Sequence, residues 1–347
     1  MRATLIYGAH DVRSEEIPDA RIQSPTDAVI RILRSCICGS DLHRYNAMPA
    51  TVVGVSIGHE CLGIVEELGS DVTGLRRGDL VVSPFSYSDG ECDFCLEGLT
   101  SSCRHGGFYG HGRDGASGMQ AEAARIPLAD TTLVKLGVAE DSELLSGLLT
   151  LADVLPTGHH AAVVARVGPR TSVTVIGDGA VGLCAVIAAK RLGAERIILM
   201  GRHDDRLELG RDFGATDLVP ERGDEGVKRV RELTRGDGTH AVLECVGHLD
   251  AYEQALGVVR AGGIIGRVGV PQYEVGPIGI NTMFMRNITL SGGPAPVRAY
   301  IDELLPEILD GSLLAGKVFD LSLPLESAPE GYRAMANRRA LKVMLTP

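Results

Sequence analysis

The stretch "SDGECDFCLEGLTSSC", Ser88 to Cys103, carries Cys92, Cys95 and Cys103 with a glycine at Gly98. Thiolates clustered in this way suit a closed zinc site, but such a site takes four ligands and the cysteines supply three. Two other short segments, "CICGSDLH" and "GHEC", bring Cys38, Ser40, Asp41, His43, His59 and Glu60 into the same part of the chain. A thiolate and an imidazole are good zinc ligands, and a catalytic zinc needs only three protein ligands, keeping a fourth position for water or substrate. Taken singly these residues are ordinary. Cys36 and Cys61 read as core thiols, and a lone His59 as a satisfied core histidine.

A different chemistry is carried by "VTVIGDGAVG", where Gly177, Gly179 and Gly182 form G-x-G-x-x-G between an expected strand and an expected helix. The first glycine allows a tight turn, the second lets the backbone approach a pyrophosphate, and the third brings helix against strand. The helix N-terminus then faces the phosphates. Gly201 in "MGRHDDR" stands where an NAD enzyme places an acid for the ribose 2′-hydroxyl, and Arg202 and His203 follow it. The acid that repels a 2′-phosphate is missing and donors that could bind one are present, so NADP(H) is favoured over NAD(H). Asp204 or Asp205 swinging in is the counter-reading, and a solvated loop cation is the plain one for Arg202.

These residues need elements to position them. From about Thr171 the segments "SVTVIG", "RIILMG", "ATDLV", "HAVLECVG", "GIIGRVGV" and "NITLSGG" read as strands, alternating with helical stretches such as "AVGLCAVIAAKRLGA" and "LDAYEQALGVVRAGG". That alternation predicts an α/β Rossmann domain, a doubly wound parallel sheet. The first 150 residues, with short strands and many glycines, predict a mostly β domain. Near the end a helix ("VRAYIDELLPEILDG") and a strand ("LKVMLTP") could return to that first domain. A cleft between domains is the expected site location.

A chain of 347 residues with 44% hydrophobic residues is a folded protein of about two domains. A net charge of -11 argues against nucleic acid as the main partner. Met1 to Tyr7 is too short for a signal peptide, and the run Val181 to Ala189 ends at Lys190, well short of a membrane span, so a cytoplasmic protein is expected. Eight cysteines there mean ligands or buried thiols more often than disulfides.

"CGSDLH", "GHE", a C-x-x-C-x-x-G-x-x-x-x-C loop, "LADVLPTG" and a dinucleotide loop occur in the order seen in the zinc-dependent medium-chain alcohol dehydrogenases, and the resemblance spans essentially the whole chain. It implies a GroES-like catalytic domain from residues 1–154 and 295–347, and a Rossmann cofactor domain over 155–294. It implies catalytic zinc ligands at Cys38, His59 and Asp153, with Glu60 beside the metal and Asp41 orienting the histidine. Ser40 matches the hydroxyl that passes the alcohol proton, by way of the cofactor ribose, to a histidine at His43. On the family's structural zinc pattern Cys92, Cys95 and Cys103 fall on three of the four cysteines and Asp89 on the first, which implies a carboxylate as the missing ligand; the alternative is a solvated loop acid, with the zinc absent or its fourth ligand a water or another residue. Lys342 aligns with a basic position near the cofactor pyrophosphate, with a solvated strand-end lysine as the alternative.

The activity so implied is zinc-assisted hydride transfer between NAD(P) and a secondary alcohol, polyol or sugar-like alcohol, in a homodimer or homotetramer. The rivals are a zinc-free quinone reductase of the same superfamily and a cofactor sensor without turnover.

Overall fold

The structure, a computed structural model, describes residues 1–110 and 118–347. It divides into two compact units, one formed by Met1–Asp153 with Pro296–Pro347, the other by Val154–Ala295.

The first unit is mostly β. Its larger sheet runs Val134–Lys135, Leu80–Ser83, Cys61–Leu68, Ala28–Cys36, Val343–Thr346, Leu321–Pro324, with Ala123–Ile126 also pairing Ala28–Cys36. The strand Val343–Thr346 lies antiparallel to Ala28–Cys36, Met344 opposite Cys36, so residues from both ends of the sequence share one sheet. Ala28–Cys36 and Cys61–Leu68 are antiparallel with Ser35 opposite Cys61. The segment leaving the first strand and the segment entering the second therefore meet at the same end of the sheet. Ile30, Ile32, Val65, Val81, Ala124 and Ile126 form one core of this unit. Ile37, Tyr45, Tyr332, Val343 and Leu345 belong to another.

The second unit is a sheet of six parallel strands in the order Asp217–Val219, Arg196–Met200, Ser172–Ile176, Thr239–Glu244, Val259–Arg267, Thr289–Gly292. This is the dinucleotide-binding order 3-2-1-4-5-6, with its switch point between Ser172–Ile176 and Thr239–Glu244. Consecutive residues Val173 to Ile176 are all buried. Since neighbouring side chains on a strand point to opposite faces, the sheet is covered on both sides.

The α/β class, the GroES-like and Rossmann folds and the six strands agree with expectation, and one boundary does not. The helix expected to run through "GVVRAGG" is Leu249–Val258, and Val259–Arg267 is already strand. The β-branched Val258 and Val259 favour extended backbone, and Val259 sits at φ -69°, ψ 137°. Among the described residues no helix is long and apolar enough to cross a membrane.

Candidate active site

At the shared end of the larger sheet, Cys38, His59, Glu60 and Asp153 each bring a ligand atom within 4.8 Å of the others. Cys38 leaves the strand Ala28–Cys36, His59 and Glu60 enter Cys61–Leu68, and Asp153 follows the short helical turn Thr150–Ala152. The Cys38 thiol is 3.4 Å from Asp153 Oδ2, and His59 Nε2 is 3.5 Å from the same oxygen. On its other side His59 Nδ1 lies 3.5 Å from Asp41 Oδ1. Asp41 is itself held, its Oδ2 accepting the backbone N–H of Cys38 at 3.0 Å and the Gln120 amide at 3.2 Å. The Tyr332 hydroxyl donates to Gln120 Oε1 at 3.0 Å, which fixes the amide's orientation.

Charge in this cage is out of balance. Burial opposes the protonated form of His59, yet the Asp41 carboxylate and the Cys38 sulfur outweigh it and hold the imidazole pKa well above its ordinary value. Burial, then the Asp153 and Glu60 charges, pushes the Cys38 thiol up. Glu60 is fully buried, and its Oε2 has no hydrogen-bond partner among the described residues. An excess of buried negative ligands with an unfilled carboxylate oxygen is the environment a divalent cation relieves, so these residues fit a zinc ion.

Lys342 overturns the solvated alternative. It is 1% exposed, and its ammonium donates to Glu60 Oε1 at 2.7 Å. It directly precedes Val343–Thr346, whose pairing with Ala28–Cys36 brings it to the cage. Ser40 is the N-cap of the helix Asp41–Ala47 and His43 lies in its first turn; both are half-buried, and neither is among the converging ligand atoms. The Phe85 ring stands edge-on to His59 with centroids 6.3 Å apart, an apolar wall on that side.

The second cluster is local. Asp89, Cys92, Cys95 and Cys103 also converge within 4.8 Å. Asp89 Oδ1 accepts the backbone N–H groups of Glu91 and Cys92 at 2.9 and 3.0 Å, and its Oδ2 is 2.6 Å from His105 Nδ1. The Cys92 N–H lowers the Asp89 carboxyl pKa most; burial opposes it, while Glu91 and His105 add to the lowering. Cys92 caps the one-turn helix Asp93–Leu96, and Cys92 and Cys103 sulfurs are 3.9 Å apart.

In the parallel unit, Gly177 follows the first strand at φ +111° and helix Ala180–Arg191 begins directly after Gly179. A Cβ on Gly182 would lie 1.9 Å from the Gly177 carbonyl oxygen, whereas one on Gly179 would meet nothing within 4 Å. The turn is closed on itself and open outward, which fits a bound pyrophosphate. Gly201 directly follows the second strand, Arg202 is exposed and His203 caps the helix Asp204–Phe213. Asp204 and Asp205 occupy that helix's first turn, where acids offset the dipole. The sequence alone predicts no acid at this strand end, and the structure differs. A carboxylate does stand at Gly201, because Asp178 Oδ2 accepts the backbone N–H of Arg202 at 2.7 Å and of His203 at 2.9 Å, with His203 Nδ1 at 2.8 Å.

Sequence reasoning missed Asp178, His105, Gln120 and Tyr332. Asp178 carried a signal, a charged residue inside the glycine fingerprint. Gln120 and Tyr332 are 212 residues apart and carried none.

Known proteins resemble this chain over its whole described length. Residues 24–137 match the alcohol dehydrogenase GroES-like domain and residues 180–309 the zinc-binding dehydrogenase family. A zinc-type alcohol dehydrogenase B of Aspergillus flavus is 35% identical over 351 residues, covering 99% of this chain and 81% of that protein. A formaldehyde dismutase of Pseudomonas putida is 32% identical over 393 residues, covering 100% and 97%. The structure of an alcohol dehydrogenase from Thermus sp. ATN1 superposes with a TM-score of 0.91 at 35% identity, covering 100% of this chain and 99% of that one. Fold and site thus define a zinc-dependent oxidoreductase acting on alcohols. The chain belongs to the zinc-dependent medium-chain alcohol dehydrogenase family.

Proposed function

We propose that the protein transfers hydride between a secondary alcohol, polyol or sugar-like alcohol and a nicotinamide dinucleotide, NADP(H) in preference to NAD(H). Cys38, His59 and Asp153 would hold the catalytic zinc, and Asp89, Cys92, Cys95 and Cys103 a structural one. When bound, the zinc supplies Lewis-acid polarisation of the reacting oxygen and the nicotinamide supplies or accepts the hydride. Asp41 fixes the His59 ring so that Nε2 faces the cage, and Gln120 with Tyr332 fixes Asp41. Lys342 restrains Glu60, whose second oxygen remains available beside the ligands. Ser40 takes up the alcohol proton and His43, reaching partly into solvent, releases it. Phe85 keeps water from one side of the site. Gly177, Gly179 and Gly182 cradle the pyrophosphate, and the Arg202 guanidinium is the donor toward a 2′-phosphate, the His203 ring being held on Asp178 through Nδ1.

The observation that carries this reading is the convergence of Cys38, His59, Glu60 and Asp153 within 4.8 Å. Metal analysis of protein purified without chelator should find two zinc ions per chain, one for each converging cluster. A scan of the three alcohol classes with NADP+ and NAD+ should show hydride transfer that zinc removal abolishes. Full activity in the stripped protein would return the zinc-free reductase, and cofactor binding without turnover on any alcohol would return the sensor. A cytoplasmic homodimer or homotetramer belongs to the same reading and is measured by light scattering and fractionation.

A further inference from the structure

The glycine at the end of the second strand is not simply an acid deleted. A Cβ built on Gly201 would lie 2.6 Å from Asp178 Cβ and 2.9 Å from Asp178 Oδ2, so any side chain at 201 collides with Asp178. The two positions are matched: Gly201 leaves the space and Asp178 fills it from the neighbouring loop. Asp178 is largely buried, and its three hydrogen bonds, from the backbone of Arg202 and His203 and from the His203 ring, all fall on Oδ2. Among the described residues Oδ1 is left as an acceptor. Burial alone would raise the Asp178 pKa, but these donors outweigh it and bring it below the ordinary value, so the group is an anion.

In a sheet of this order the ribose that carries the 2′ substituent lies at the end of the second strand, where an acid accepts from a 2′-hydroxyl and repels a 2′-phosphate. We infer that Asp178 is a determinant of cofactor specificity: from inside the glycine loop it takes the place of the acid missing at Gly201 and opposes the attraction of Arg202 for a 2′-phosphate. The preference between NADP(H) and NAD(H) is then the difference of two opposed charges, Asp178 buried and fixed, Arg202 exposed. This rests on the nicotinamide reading of the loop but not on which form is preferred.

Equilibrium binding of NADH and NADPH, followed by nicotinamide fluorescence, tests it without turnover. Asp178→Asn keeps an oxygen to accept from the two backbone N–H groups and removes the charge. The ratio of the NADH to the NADPH dissociation constant should rise about tenfold, the effect of one unscreened charge interaction of moderate strength. Asp178→Ser, whose hydroxyl also accepts an N–H, serves the same comparison if the amide disturbs the loop. Asp178→Ala combined with Gly201→Asp, which moves the carboxylate back to the strand end, should bring the ratio down again. An unchanged ratio with both affinities lowered equally would make Asp178 an anchor of the 201–203 loop only and overturn the inference. The ratio in the unmutated protein separately tests NADP(H) preference, so either claim can fail while the other stands.

Discussion

The two thiolate-bearing clusters of the metal-binding unit are assembled by opposite means. The cage of Cys38, His59, Glu60 and Asp153 draws its ligands from points as far as 115 residues apart and relies on sheet register to bring them together. The loop cluster draws Asp89, Cys92, Cys95 and Cys103 from one contiguous stretch held by local turns and an Asx-type contact to Glu91 and Cys92. The cage is buried and carries an opposing cation, Lys342; the loop is partly exposed and carries a histidine, His105, on its carboxylate. The cage's geometry is thus set by strand pairings elsewhere in the sheet, the loop's by contacts between near neighbours in sequence.

The comparison breaks most visibly through ligand removal in the cage. His59→Ala or Cys38→Ala should lower turnover by roughly a thousandfold or more, since Lewis-acid stabilisation is worth several kcal/mol. The loop metal and cofactor binding should survive, as metal analysis and NADPH titration would record. Loss of both metals would mean that the clusters are not independent.

Lys342→Met probes the cage's rigidity. It leaves the Glu60 carboxylate buried and unpaired, and breaking a buried pair costs about 3–5 kcal/mol. Denaturant unfolding of the zinc-free protein should show a loss of that order. A variant as stable as the parent would show that the Lys342–Glu60 pair contributes nothing to the stability of the cage.

Asp41→Asn should weaken zinc affinity or turnover by about 10–100-fold, the usual cost of removing a group that orients a ligand. Competition with a chromophoric chelator measures the first and steady-state rates the second. No change would mean that Cys38 and Asp153 orient His59 without help.

The smallest effect is expected in the loop. Asp89→Ala should release the loop metal and lower the melting temperature by about 2–4 °C for each kcal/mol lost, with kcat unchanged. Asp89→Cys should retain the metal. A fall in kcat equal to that of the cage variants would contradict the division drawn here.

The same contrast explains what could be read from the chain alone. Local patterns were legible: the loop cysteines by spacing, the parallel sheet by its alternating strands and helices, the phosphate turn by its glycines. The cage is a product of long-range register, so Cys38, His59 and Asp153 could be connected only through a family resemblance. Nothing near Gln120 or Tyr332 announces that one orients the other behind Asp41, and the burial of Lys342 follows from a strand pairing rather than from its neighbours in sequence. Asp178 failed for another reason. Its charge inside the fingerprint is a signal, but the position admits any residue, so what the carboxylate reaches, Arg202 and His203, emerges only once both loops are placed.

The pairing of Met344 with Cys36 has a consequence for biosynthesis. During translation the stretch Val154–Ala295 is made in one piece, while the mostly β unit, begun before it, receives its strand Val343–Thr346 only after it. Until then the Ser35–Cys36 end of that strand lacks its partner Met344–Leu345 and Glu60 lacks its cation, so the nascent chain carries the acidic cluster unbalanced. A premature stop just upstream of Lys342 would leave Val154–Ala295 whole in sequence and take from the cage both its strand partner and the ammonium on Glu60.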